Sequence, residues 1–128
     1  MIRINKEVIM KKLTESNNYS VDYEYEKVFL TVKKNQKRIL IGEFYGDPYT
    51  ALISENENFC AIGGEGLIVY YLHEPFDEYK GDDIESNQYM IWGREDNENT
   101  IWIEDIKLLN ERQIEVITED NQSIVIIV

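Results

Sequence analysis

Apolar and polar residues alternate along most of this chain, and turn-forming clusters rich in Gly, Asn, Asp and Pro break the alternation about every eight to twelve residues. Successive side chains of a strand point to opposite faces, so such a chain is driven to pair short strands and bury one face of each. From Lys27 to Lys33, Val28, Leu30 and Val32 share one face while Phe29 and Thr31 share the other. From Arg38 to Phe44, Ile39 and Ile41 stand opposite Leu40 and Phe44. Asn35-Gln36 lies between the two runs, which therefore make a hairpin with Lys33, Lys34, Lys37 and Arg38 solvated around its tip. A second hairpin is written at 113–118 and 123–128, around an Asp120-Asn121 pair that tolerates the left-handed backbone of a tight turn. Five more apolar runs, at 49–54, 59–62, 67–72, 88–92 and 101–109, are set apart by turn signals such as Gly46-Asp47-Pro48, Asn56-Glu57-Asn58 and Asp96-Asn97-Glu98-Asn99.

The pattern predicts a mostly β chain, a single domain over residues 1–128 built as an antiparallel sandwich or partly open barrel of about eight or nine short strands. The N-terminus reads two ways. Ile4, Val8, Ile9 and Leu13 fall near one helical face behind an Asn5 cap, which gives a helix over 5–16, while Ile2, Ile4 and Val8 equally suit an opening strand. At 128 residues and 43% hydrophobic content the chain is large enough to bury one core without disulfide or metal support.

Charge is distributed unevenly. Residues 1–45 carry six acids and nine bases, whereas residues 46–128 carry nineteen acids and four bases, for a net charge of −12. Such a balance repels phosphate backbones and anionic lipid, so neither nucleic acid nor membrane is an expected direct partner. No apolar run approaches the ~18 residues of a membrane span, and the opening Met-Ile-Arg-Ile-Asn-Lys-Glu lacks the apolar stretch of a secretory signal. Together with a single cysteine, Cys60, this makes cytoplasmic residence the expectation.

The search for chemistry yields little. Gly63-Gly64-Glu65-Gly66 precedes the strand-like Leu67 to Leu72, not a helix, so it reads as a hairpin turn with positive backbone φ, not a phosphate loop. Cys60 lies within an apolar run and His73, the one histidine, at a strand end; a buried structural cysteine and a solvated histidine are the plainer reading of both. Asp82-Asp83 and Glu85 lack the spacing of a calcium loop. No catalytic residue, metal or cofactor is expected, and recognition is what remains. The irregular stretch from His73 to Ser86 sets Phe76 and Tyr79 among Glu74, Asp77, Glu78, Asp82, Asp83 and Glu85. Aromatic anchors within a charged rim are the anatomy of an interface hot spot. Tyr70, Tyr71 and Trp92 complete the candidate partner-binding set, with alternation sending either Tyr70 or Tyr71 into the core.

The segments Tyr49 to Ser54, Phe59 to Leu72, Trp102 to Ile106 and Ile114 to Val116, in a small acidic β-rich chain, resemble immunity proteins of bacterial polymorphic and contact-dependent growth inhibition toxin systems. The resemblance covers about half the chain and implies a role but no particular residues: a stoichiometric inhibitor of a cognate toxin domain, held in the cytoplasm. A basic nuclease toxin would suit the charge, because an acidic inhibitor exploits the field that attracts the nuclease to its polyanion. The alternative expectation is an acidic protein-binding β-module, assembly or regulatory, with no toxin partner.

Overall fold

In the computed structural model, which describes residues 10–94 and 99–128, eleven strands form three antiparallel sheets. Each sheet is a meander of consecutive strands. The first holds β1 (Lys11–Glu15), β2 (Tyr19–Glu24), β3 (Lys27–Val32) and β4 (Lys37–Glu43); the second β5 (Thr50–Ile53), β6 (Phe59–Gly64), β7 (Gly66–Tyr71) and β8 (Tyr89–Trp92); the third β9 (Ile103–Asn110), β10 (Gln113–Thr118) and β11 (Ser123–Ile127).

The second sheet is the middle layer. Every residue of β6 is buried, as is every residue of β7 except Tyr71. The pleat sorts them: Cys60, Ile62, Ile68 and Tyr70 join Val21, Val28, Leu30, Ile39 and Ile41 of the first sheet in one apolar cluster. Phe59, Ala61, Leu67 and Val69 join Ile103, Ile106, Ile114, Val116 and Ile126 of the third sheet in another. The antiparallel all-β expectation holds, but the described residues form neither a single closed barrel nor one two-sheet sandwich. The reason is the continuous apolar character of 59–62 and 67–72, which leaves no face of the middle strands suited to water and requires a cover on both sides.

Nine of the eleven strands lie on the runs read from the sequence. The two additional ones are β1 and β2, and β1 replaces the helix expected there: residues 11–15 are extended and pair with β2 through a bulge between Lys12 and Thr14. The remainder of that helix, residues 5–9, and the alternative opening strand on Ile2, Ile4 and Val8 lie outside the described residues, as do Glu95, Asp96, Asn97 and Glu98. Among the described residues there is no helix.

A second bulge corrects the face assigned to Phe44. Val28 pairs with Gly42 but Phe29 pairs with Leu40, so Ile41 is an extra residue in β4 and the alternation shifts by one. Gly42 and Phe44 thereby turn inward with Ile41, and all three are buried.

At the other end of the sheets, one loop ties the layers together. Glu57, between β5 and β6, accepts hydrogen bonds from the Ser16 hydroxyl, the Asn18 amide (3.0 Å) and Asn18 Nδ2 (2.6 Å) on the first sheet. Its neighbours Asn56 and Asn58 donate to Glu111 on the third sheet, at 2.8 and 3.1 Å. Partial burial pushes the Glu57 carboxyl upward, but the donors from Ser16 and Asn18 outweigh it and hold the group below its ordinary value of 4.5.

The glycine turn follows a different logic from the one its sequence suggests. Gly66 has φ +72°, but Gly63 and Gly64 lack positive φ. Gly63 is a packing position: a Cβ there would sit 2.7 Å from Ile103 Cγ2. Gly63→Val should therefore lower stability by ~3 kcal/mol through overpacking between the middle and third layers, measured by denaturant unfolding; an unchanged midpoint would sink the close-packing account. The Glu57 contacts make a separate prediction. A carboxyl depressed in the folded state stabilises above its unfolded value and loses that contribution as pH falls through the folded one. Glu57→Gln should lower the melting temperature at neutral pH, and the gap to wild type should close as pH drops below about 4.5.

Candidate functional site

The acidic stretch becomes a strap, residues 72–88, which leaves the end of β7, runs along the first two sheets and returns to β8. Gln88 is its buried peg. Its Oε1 accepts from the Asp77 amide (3.0 Å), and its Nε2 donates to the carbonyls of Tyr71 (2.7 Å) and His73 (2.8 Å). The Tyr79 amide donates to the Leu40 carbonyl (2.9 Å), so the strap also caps the free edge of β4. Tyr89 Oη receives the Lys80 amide and donates to the Gly81 carbonyl at 3.0 Å.

Farther along, Asp82 locks the strap to the β6–β7 turn through Arg94. The Arg94 side chain is buried, pairs with Asp82 Oδ1 at 3.1 Å, donates from Nε to the Glu65 carbonyl at 2.6 Å and lies over the Phe44 ring at 4.4 Å. Tyr79 donates its hydroxyl to the same Asp82. Burial first, and then that bond, hold the Tyr79 phenol above its ordinary range.

These contacts divide the candidate residues. Tyr70 is withdrawn from the surface: it is fully buried, its hydroxyl donates to the Asp77 carbonyl at 2.8 Å, and burial raises its phenol. Alternation thus sends Tyr70 into the first cluster and leaves Tyr71 half-buried against the second. Phe76 and Tyr79 are half-buried anchors holding the strap down, Phe76 with its ring 6.1 Å from Tyr19 and Tyr79 with its ring 5.2 Å from Tyr89. Trp92 packs on the second cluster, with an edge lining a cleft of about 580 Å³ beside Asp82 and Asp83. Glu74, Asp77, Glu78, Asp83 and Glu85 are exposed, and none of them forms an ion pair with a described residue. Acids and aromatics are therefore brought together, but the aromatics face the body and the carboxylates face water.

Cys60 and His73 do not combine. Cys60 is fully buried at the centre of the middle sheet, and burial pushes its thiol up to about 12, far from thiolate at neutral pH. His73 is exposed, with Nδ1 at 3.0 Å from the Glu74 carbonyl. No three His, Cys, Asp or Glu side chains among the described residues converge as metal ligands.

The exposed aromatics lie elsewhere, on residues that sequence reasoning passed over. Tyr25, Tyr45 and Tyr49 are 79%, 73% and 68% exposed, and Trp102 is 38% exposed. All four sit near the β6–β7 turn, to which hydrogen bonds and a bridge at Glu65 tie their segments. A signal for Tyr25, Tyr45 and Tyr49 was present: each occupies or flanks a turn, where alternation does not bury it.

No family model, curated protein or solved structure matches this chain.

Gln88 offers a test of the strap. Gln88→Ala removes three hydrogen bonds and leaves the Tyr71 and His73 carbonyls and the Asp77 amide without this partner, so stability should fall by ~2–3 kcal/mol. Hydrogen exchange at Asp77 and Tyr79 should accelerate more than at β10. Uniform acceleration across all three sheets would mean that the strap is not a separable unit.

Proposed function

We propose that this chain is an acidic protein-binding β-module with a binding role, not a catalytic one, which presents the strap to a basic surface of a partner protein. The observation that carries the reading is the pairing of rigidity with unmet charge. Asp77, Glu78, Asp83 and Glu85 stand on a segment pinned by buried Gln88, Tyr70 and Arg94, and none has a cationic partner among the described residues. A solvated acidic loop would lose conformational freedom on binding; one already fixed by its own backbone loses less. Clustered exposed carboxylates also steer a cationic partner, with association reaching ~10⁸–10⁹ M⁻¹s⁻¹ at low salt. The field extends only about 8 Å at physiological ionic strength, so the exposed rim acts at close approach.

The immunity role is the narrower form of this proposal, with a toxin domain as the partner and the cytoplasm as the place of encounter. It is supported by the sequence resemblance and by the charge, whereas the broader module is supported by the strap itself.

Reversing Asp77, Glu78, Asp83 and Glu85 to Lys separates fold from recognition, and each reversal adds two to the net charge of −12. Asp82 is left unchanged, because it partners the buried Arg94. The melting temperature should stay within a few degrees, while association with partners captured from cells encoding the protein should slow about tenfold or more at low salt and lose most of its salt dependence. Identical capture and kinetics for both forms would remove the strap as the site. Where a captured partner is toxic on expression and this chain relieves the toxicity, the immunity form stands; where it is harmless, the broader module does.

A further inference from the structure

The end of the fold at the β6–β7 turn has a surface of its own, and neither the strap nor the resemblance accounts for it. Backbone contacts converge there from all three sheets. The Tyr49 amide donates to the Gly63 carbonyl (2.8 Å), the Tyr45 amide to Glu65 Oε1 (3.0 Å) and the Gly46 amide to Glu26 Oε2 (2.8 Å), which joins the β2–β3 turn bearing Tyr25 to the segment bearing Tyr45. On the far side Glu65 bridges to Trp102, whose carbonyl accepts from the Glu119 amide at 2.9 Å. Trp102 walls a cleft of about 310 Å³ with Glu119 and Asp120 on its rim. Every large aromatic side chain described as exposed in this chain is therefore at one end, on backbone fixed by hydrogen bonds.

We propose that this end binds arginine side chains carried on a basic segment of another protein. The chemistry selects that occupant. Exposed tyrosine and tryptophan faces attract cations, and a guanidinium stacks on them as well as pairing with carboxylates in a planar fork, which an ammonium does not do. Carboxylates surround the rings: Glu119 and Asp120 beside Trp102, Glu43 and Asp47 on either side of Tyr45 in sequence, all exposed. The Arg94 side chain is buried and paired with Asp82, and Lys27 stands opposite Glu24 and Glu43 in the strand register, so acids outnumber the exposed base at this end. An anionic lipid would bring like charge to the same place; a second copy would bring a net charge of −12, and the arginine of its basic 33–38 tip already lies over Phe29. The chain already uses the geometry internally, with Arg38 lying 3.8 Å over Phe29 and Arg94 4.4 Å over Phe44.

The test is a ¹H–¹⁵N titration of the full chain with a blocked Gly-Arg-Gly-Arg-Gly-Arg-Gly peptide, the matching lysine peptide and a neutral oligosaccharide, chitohexaose. The arginine peptide should shift the amides of Tyr25, Tyr45 and Tyr49 and the Trp102 indole, binding several-fold tighter than the lysine peptide. Tyr45→Ala with Tyr49→Ala, and separately Trp102→Ala, should each weaken the arginine peptide about tenfold and bring it level with lysine. The strap reversal should weaken both peptides alike and leave their ratio intact, so that failure of the strap proposal and failure of this one are told apart. Equal affinity for the two peptides in the wild-type chain, shifts confined to residues 77–85, or binding of chitohexaose in place of the arginine peptide would each overturn the inference.

Discussion

Two-sided burial of β6 and β7 is the constraint on which the other layers depend. Phe59, Ala61, Leu67 and Val69 project one way, Cys60, Ile62, Ile68 and Tyr70 the other, and all eight are buried. Each large apolar side chain so placed contributes about 1.5–3 kcal/mol relative to exposure, and only if both faces are covered. Neither outer sheet can supply both covers, so the N-terminal and C-terminal meanders take one each. This explains why Gly63 cannot carry a side chain, since the third sheet approaches at Ile103, and why Glu57 and Glu111 converge on a single loop. Those carboxylates cross-link layers whose main attraction, apolar burial, is non-directional and would not by itself fix their alignment.

Meanders leave edges, and the strap's first physical task is to manage one. Its Tyr79 amide bonds to Leu40 on the edge of β4, and its Phe76 and Tyr79 rings continue the first cluster outward. An acidic segment is well suited to that position, because an uncovered edge invites pairing with other chains and charge discourages it. The same exposure that protects the edge places Asp77, Glu78, Asp83 and Glu85 on the rim. A structural role and the proposed recognition role thus share one segment, the aromatics serving the first and the exposed carboxylates the second.

How much was legible follows from where local pattern decides the outcome. The hairpins at 27–43 and 113–127 and the five runs between them were readable because alternation and turn residues agree there. β2 obeys the same rule, with Tyr19, Val21 and Tyr23 packed inward, but its tyrosines and the intervening Ser20 and Asp22 resemble surface composition. β1 offers Leu13 alone, and its pairing with β2 is a tertiary fact. The inward turn of Phe44 depends on one extra residue at Ile41, which period-two counting cannot register. The unbroken apolar runs at 59–62 and 67–72 require cover on both faces, and therefore three layers, which the number of strands alone does not register.

The candidate site was legible by composition and illegible by direction. A run of acids with two aromatics identifies a segment, but whether a ring faces partner or body depends on what lies beneath it, and here that is Tyr19, Tyr89 and the Leu40 backbone. Exposed rings arise where the opposite condition holds, at turns where three sheets end and no described residue covers them. Tyr25, Tyr45 and Tyr49 are isolated in sequence among ordinary turn residues, and only the hydrogen bonds through Glu26, Glu65 and Gly63 bring them to one place. The two proposals therefore assign attraction and specificity to different parts of this molecule. In the proposed readings, uncompensated carboxylates on the strap would act through space and fade with salt, while rings at the turn end would act by contact on a planar cation, with the carboxylates beside them still screened by salt. A partner engaged by both would have to present a broadly basic face with arginines reaching past its edge, and a partner engaged by the carboxylates alone would bind quickly and leave quickly.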